Sequence, residues 1–478
     1  RNEDMALSVK KVIDVGREAA RRFEQLRDQS RTFVQKVREL AAEIEQWEPI
    51  PRKRQLWELE DRRDELETAA IRAFGEAVSS FTQALAYQPD NTEAAECLAD
   101  LYYSRFETAE ERGDEFDAIH YRALVEQYDT GKYEQRLRGV GALEISAEPE
   151  NAATTLFRFQ EIDRRMVAAD EVEIGELPAR LETLEVGSYL LTLTHPDHVA
   201  ARVPVEVRRA ETETARIQLP GQQRAVDGFL FVHEGEYLAG GDPKAFDPRE
   251  PKRVHVDSFF CAEFPVTFRE YLEYFNELYA ELGDAALPRA PQTRDSDGML
   301  IRYDEDAELW VPDDILIEGS AREMYPIGEG HEYEIPVVGV RPEDADAYCE
   351  WLGEREGVDY RLPTEDELEK AGRGVDARFF PWGNRFDATF CKMRFSRSEN
   401  PQLEPIGVFV DDVSPYGVRD LGGGVQEWCQ PEPGNDVERP CRGGAWNQDM
   451  RASRLASRIS LLAEARSAGV GFRLVYST

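Results

Sequence analysis
The hydrophobic period of this chain changes at Gly139, and that change sets what it can fold into. Before Gly139 apolar residues recur at helical spacing; after it they alternate with polar ones, so no single repeating architecture runs from end to end. The 478 residues therefore predict several domains, and a hydrophobic content of 41% supplies ordinary globular cores.

From Val9 to Gln46, the residues Val12, Val15, Ala19, Phe23, Leu26, Phe33, Val37, Leu40 and Ile44 form one helical stripe. In "WEPIPRKRQLW", Pro49 and Pro51 cannot continue that helix, while Trp47 and Trp57 add apolar bulk on either side. The chain is expected to reverse there into a second helix, Leu56 to about Tyr87. The stretch from Ala77 to Asp129 then reads as helix, Pro-Asp turn, helix, Gly-Asp turn, helix, with Ala84 and Ala95 where helices pack and Pro89 ending one. It resembles tetratricopeptide units, too few for a free solenoid, so a single helical domain is expected over 1–135.

Residues 139–220 alternate apolar and polar side chains between turns at Pro149, Gly187 and His195-Pro196-Asp197, which predicts a small antiparallel β domain. Its "GSYLLTLTHPDH" hairpin, followed by "VPVEV", is similar to PEGA-type β modules. His195 and His198 are a metal pair in type only, with no third ligand nearby in sequence.

The formal net charge of -37 excludes nucleic acid and anionic lipid as partners. No apolar run approaches the roughly 20 residues that span a bilayer, and "RNEDMALSVK" lacks the regions of a signal peptide, so a cytoplasmic chain is expected, with no membrane partner. Its start at Arg1 suggests a piece of a longer polypeptide. The six cysteines show no CxxC spacing and read as reduced thiols, with Cys429 and Cys441 as one conceivable disulfide.

The region 225–478 is predicted to be an α+β domain of short elements and long aromatic loops. "RPEDADAYCEWLGEREG" carries helix-start signals, and in "RLPTEDELEKA" Thr364 caps a helix expected to expose "EDELEK" and bury Leu368 and Ala371. Taken in order, "FPVTFREYLEYFNEL", "PVVGVRPEDADAYCEWL", "YRLPTEDELEKAGRG", "FFPWGNRFD", "SPYGVRDLGGGVQEW", "RGGAW" and "GFRLV" resemble the formylglycine-generating enzymes, or sulfatase-modifying factors, whose fold is related to C-type lectins.

That resemblance makes specific demands. Active oxidases of the family carry two cysteines after the Gly-Gly turn that bind copper(I), and here those positions are Gln448 and Ser453, neither a soft ligand. No catalytic residue and no copper are therefore expected. The related ergothioneine-type synthases take iron-binding histidines from a helical domain, where this chain has His120 alone. A calcium site on the family's Gly-rich loop would use Asp420 and Glu427, with backbone oxygens near Gly422, Gly423 and Val425, although Gly424 replaces the usual Asn. A second calcium site has Cys391 where an asparagine ligand is expected.

The arginines Arg451, Arg454, Arg458 and Arg466 are expected to pair with carboxylates and stack on aromatic rings. The sharper alternative is a recognition face at the family's substrate groove, formed by Trp446, Asn447, Gln448, Asp449 and Met450 together with Arg451, Ser453 and Arg454. It would bind a protein, peptide or small ligand.

The order helical hairpin, PEGA-like module, formylglycine-enzyme-like domain resembles the region downstream of the kinase domain in bacterial Ser/Thr kinases of myxobacterial type. No Gly-rich phosphate loop, HRD or DFG motif lies within these residues, so any kinase domain would precede Arg1. The leading expectation is a non-catalytic recognition and scaffolding region of such a signalling protein. Two alternatives stand beside it: a retroelement-diversified variable ligand-binding protein of the same fold, and a divergent formylglycine-generating-type oxidase.

Overall fold
The computed structural model describes residues 2–41, 44, 49–112, 114–293, 298–313, 330–398, 401–435 and 437–478. They form two compact units, Arg1–Gly139 and Val140–Thr478.

In the first unit, α1 (Asn2–Ala41) and α2 (Ile50–Tyr87) make an antiparallel hairpin, with Gly16 against Phe81 and Phe23 against Phe74. The second helix starts at Ile50, earlier than the prolines suggest. Pro51 sits in its first turn, where a missing N–H has no partner to lose; Trp47 lies outside the described residues. Val9, Ile13, Ala19, Phe23 and Val37 are buried, but Val15, predicted on the same stripe, faces outward. The buried positions advance nearer to 3.5 than 3.6 residues per turn, the spacing of two helices wrapped around each other. On α2, Ala70, Ala73, Ala77 and Ala84 let the helices approach closely. Next come α3 (Thr92–Arg112) and α4 (Glu115–Tyr128), the latter capped by Asp114, which accepts from Asp117 N at 3.1 Å.

The second unit opens with seven strands in two sheets: β1 (Val140–Glu148), β2 (Ala153–Ile162), β3 (Arg165–Ile174), β4 (Ala179–Glu185), β5 (Gly187–His195), β6 (His198–Val207) and β7 (Thr212–Gln218). One sheet has the order β4-β1-β7, the other β3-β2-β5-β6. The expected all-antiparallel module is corrected here: β1 and β7 run parallel, from Ala142↔Thr212 to Glu148↔Gln218. The intervening strands supply the long crossover that parallel pairing needs.

These seven strands share a core with the remainder of the unit. One buried apolar cluster runs from Leu143, Leu191 and Val205 through Phe260, Tyr271, Val337 and Phe472. Met166 N donates to Trp382 O at 2.7 Å, Arg202 Nε to Pro415 O at 3.1 Å, and Arg165 pairs with Asp411 at 2.6 Å.

Beyond the strands, α5 (Phe268–Leu282) begins in a capping box of Thr267 and Glu270, and α6 (Pro342–Glu356) ends at Gly357, whose φ of 74° is left-handed. The third helix, α7 (Glu365–Arg373), is capped by Thr364 as its sequence suggests. Its polar face is not exposed: Glu365, Glu367, Glu369 and Lys370 are all buried along with Leu368 and Ala371. Each acid meets an arginine from outside the helix, Glu365 with Arg442, Glu367 with Arg361, and Glu369 with Arg249 and Arg442, the last acid also pairing with Arg373 one turn along.

The hairpin geometry makes a direct prediction. A Cβ at Gly16 would stand 2.6 Å from the fully buried Phe81 ring. Gly16→Leu should overpack the seam and destabilise the helical unit by about 1–3 kcal/mol, read by urea denaturation followed by far-UV circular dichroism.

Candidate functional site
Two glycine turns meet back to back and shape the candidate site. Gly422, Gly423 and Gly424 precede the strand Gln426–Trp428; Gly443 and Gly444 follow the neighbouring strand Glu438–Arg442. A Cβ at Gly444 would lie 2.2 Å from Gly422 O, and one at Gly423 would lie 2.3 Å from Lys392 O. The turns are stitched by Trp446 N to Gly424 O at 2.9 Å and Gly424 N to Lys392 O at 2.8 Å. No larger residue fits at either contact without moving backbone.

The segment leaving the second turn carries the predicted recognition residues. Trp446 turns inward, packs against the core and donates Nε1–H to Ala468 O at 2.7 Å. Asn447 and Met450 are exposed. Gln448 Nε2 donates to Gln426 Oε1 at 3.0 Å, while Gln448 Oε1 is buried with no hydrogen-bond donor among the described residues. Ser453 is buried, and the Cys391 thiol contacts its Oγ at 3.7 Å. Burial pushes that thiol well above its ordinary range, so it is a neutral S–H and no substitute thiolate.

The arginines divide by burial. Arg451 is exposed, pairs with Asp449 at 3.1 Å and lies 4.6 Å from the Phe246 ring. Arg454 is buried, paired with buried Asp242, with the Phe379 and Phe380 rings 4.5 and 5.0 Å away. Arg458 bridges Glu365 and Glu432 at 3.1 and 2.8 Å, and Arg466 donates to the carbonyls of Pro288, Ala290 and Gly339. Ion pairing and aromatic stacking account for this ladder, and of its members only Arg451 reaches the exposed face.

The proposed calcium residues do come together, and three of their four carboxylate oxygens accept hydrogen bonds from protein donors. Glu427 accepts from Arg473 Nε and Nη2, both at 2.8 Å. Asp420 accepts from Gly407 N at 2.7 Å, and neighbouring Asp412 from Gly422 N at 3.0 Å. A small cavity here is lined by Lys392, Glu404, Phe409, Asp412, Asp420 and Gly423. Burial raises the Asp420 carboxyl to about 6. Among the described residues no three Asp, Glu, His or Cys side chains converge as a metal site.

Elsewhere, Cys429 and Cys441 are both free, as are the other cysteines. His195 and His198 place their Nδ1 atoms 2.9 Å apart at the hairpin turn, without a third ligand among the described residues.

Residues 216–478, more than half of the chain, match the sulfatase-modifying factor enzyme 1-like domain. The chain belongs to that family. It is 30% identical over 267 residues to the inactive C-alpha-formylglycine-generating enzyme 2 of Mus musculus, covering 51% of this chain and 83% of that protein. It is 27% identical over 373 residues to the serine/threonine-protein kinase pkn1 of Chlamydia pneumoniae, covering 71% of this chain and 51% of the kinase. The chain thus spans about half the length of that kinase. Of solved structures, PvdO from Pseudomonas aeruginosa matches over 52% of this chain and 94% of its own, at 19% identity and a TM-score of 0.40. No helix of the described residues is long and apolar enough to cross a membrane.

Two measurements separate structure from recognition at this site. Arg454→Ala strands the buried Asp242 carboxylate and should cost about 3–5 kcal/mol, whereas Arg451→Ala should cost less than about 1 kcal/mol; chemical denaturation of both variants tests the contrast. The second is pH dependence. Folded Asp420 keeps its proton up to about 6, while an unfolded aspartate releases it near about 4. The folded state therefore binds more protons in that window, and its stability falls as pH rises through it. Asp420→Asn should remove this slope, so the Tm difference between variant and parent changes across the window and is flat above it.

Proposed function
We propose that the family domain of this chain is a recognition domain rather than an oxidase, and that the whole chain serves as a scaffolding and ligand-recognition region of a kinase-type bacterial signalling protein. The observation that carries the first part is the pair Gln448 and Ser453. Copper(I) is held by soft thiolates, and an amide and a buried hydroxyl supply none. The likeness to an inactive formylglycine-generating enzyme supports the same reading.

In place of a thiol pair, this face carries an amide. Gln448 is held by Gln426, and its Oε1 is buried without a donor among the described residues, so a ligand N–H reaches that oxygen only with a movement of the side chain. Asn447, Met450 and Arg451 surround it with exposed polar, flexible apolar and cationic contacts. A peptide, a protein loop or a small amide-bearing molecule meets these demands. Trp446 and Arg454 belong to the support of this face. The kinase association rests on the likeness to the chlamydial kinase.

The diversified-protein reading is less favoured on structural grounds. Ala452, Ser453, Arg454, Leu455, Ala456 and Ser457 are a continuous buried run, where random replacement would damage packing.

Two outcomes are expected. Given copper(I), oxygen and a cysteine peptide of the sulfatase type, the chain should leave the thiol unconverted by mass spectrometry; formylglycine formation would falsify the reading. Peptides selected from a displayed library against the full chain should bind at least about tenfold more weakly to Gln448→Ala. Equal binding to Gln448→Ala and to Asn447→Ala would remove this face from the proposal.

A further inference from the structure
We infer that Arg473 performs in this chain the electrostatic work of a metal ion at the glycine loop, so that the C-terminal domain holds that loop without calcium. The inference is independent of what the recognition face binds. It starts from Glu427, a fully buried acid on an inner strand of its sheet. A buried carboxylate needs a compensating cation. Here that cation is covalent: Arg473 is itself wholly buried and grips both Glu427 oxygens at 2.8 Å.

The remaining guanidinium protons are also spent. Nη1 donates to Ala262 O at 2.9 Å and Glu263 O at 2.8 Å, and Nη2 donates to Arg419 O at 2.8 Å. With two donors on Glu427 and three on carbonyls, the side chain uses all five N–H groups. It thereby joins the strand at Glu427, the carbonyls at the end of Phe259–Ala262 and the residue before Asp420. A divalent ion does comparable work by collecting oxygens from separate segments. An ion added at Glu427 would face a fixed guanidinium in a low-dielectric site, where like charges repel strongly.

The neighbouring cavity repeats the arrangement. Lys392 Nζ lies 2.6 Å from Glu404 in the same lining as Asp412 and Asp420, so a second fixed cation already sits there. The acids not paired to these cations are held by backbone instead, Asp412 by Gly422 N and Asp420 by Gly407 N.

The test compares thermal melts of the full chain in EDTA and in millimolar calcium, with calorimetric titration of calcium. The unmodified chain should melt at the same temperature in both and show no saturable binding. A calcium-raised Tm, or saturable binding lost in Glu427→Gln, overturns the inference. Arg473→Met should melt lower in EDTA and recover part of the loss in calcium, since the uncompensated Glu427 is then open to the ion. If it instead melts low and equally in both, Arg473 is scaffolding alone and the stand-in role is overturned. Should Arg473→Met fail to fold, the comparison on the unmodified chain still decides, and Glu427→Gln should lose the same number of degrees in EDTA as in calcium.

Discussion
The architecture of the C-terminal unit hangs on one buried carboxylate, that of Glu369. It accepts from Gly240 N at 2.8 Å and lies 2.9 Å from each of Arg249, Arg373 and Arg442. Burial alone would push such a carboxyl up, yet Arg442, Arg373 and Arg249 together hold it below the usual range. Arg442 continues to Glu365 and to Leu455 O, which sets the strand from which the Gly443-Gly444 turn departs. The path from the helix to the candidate face is thus a chain of charged contacts, each removed from water. Such networks rarely exceed apolar packing in stability, but they restrict which segments may be neighbours.

How much of the structure could be read in the sequence depends on the range of the interactions involved. Helices and their caps are local, so Thr364, Pro342 and the long stripe from Val9 announced themselves. The glycine turns did so too, because only glycine tolerates backbone oxygens at the distances found at Gly423 and Gly444. The polar face of α7 misled for the opposite reason. Its acids are indistinguishable from a solvated surface until Arg442, far along the chain, is brought beside them. The parallel pairing of β1 with β7 and the grip of Arg473 on Glu427 are equally non-local. Val15 failed for a subtler cause, a seam whose period differs slightly from that of a straight helix.

At the candidate site the same distinction holds. The expectation of no copper pair at Gln448 and Ser453 rests on residue type alone, since ligand softness is a property of the side chain itself. Which of the neighbouring residues face outward was not legible. Trp446, an attractive recognition residue by type, spends its N–H on Ala468, and Arg454 spends its charge on Asp242. The Gln426–Gln448 amide pair joins positions on a strand and a separate loop, so neither residue advertised the other.

The back-to-back glycine turns carry a consequence for how such a domain changes over time. Because the contacts at Gly423 and Gly444 are made by main chain, they are indifferent to the side chains that the adjoining loop displays. A frame of this kind can lose a reactive thiol and acquire an amide without any change in loop path. Shape and chemistry are set separately: the first by glycines packed against main-chain oxygens, the second by side chains of the adjoining loop such as Asn447 and Gln448. A domain so divided can take a different side-chain chemistry on an unchanged backbone.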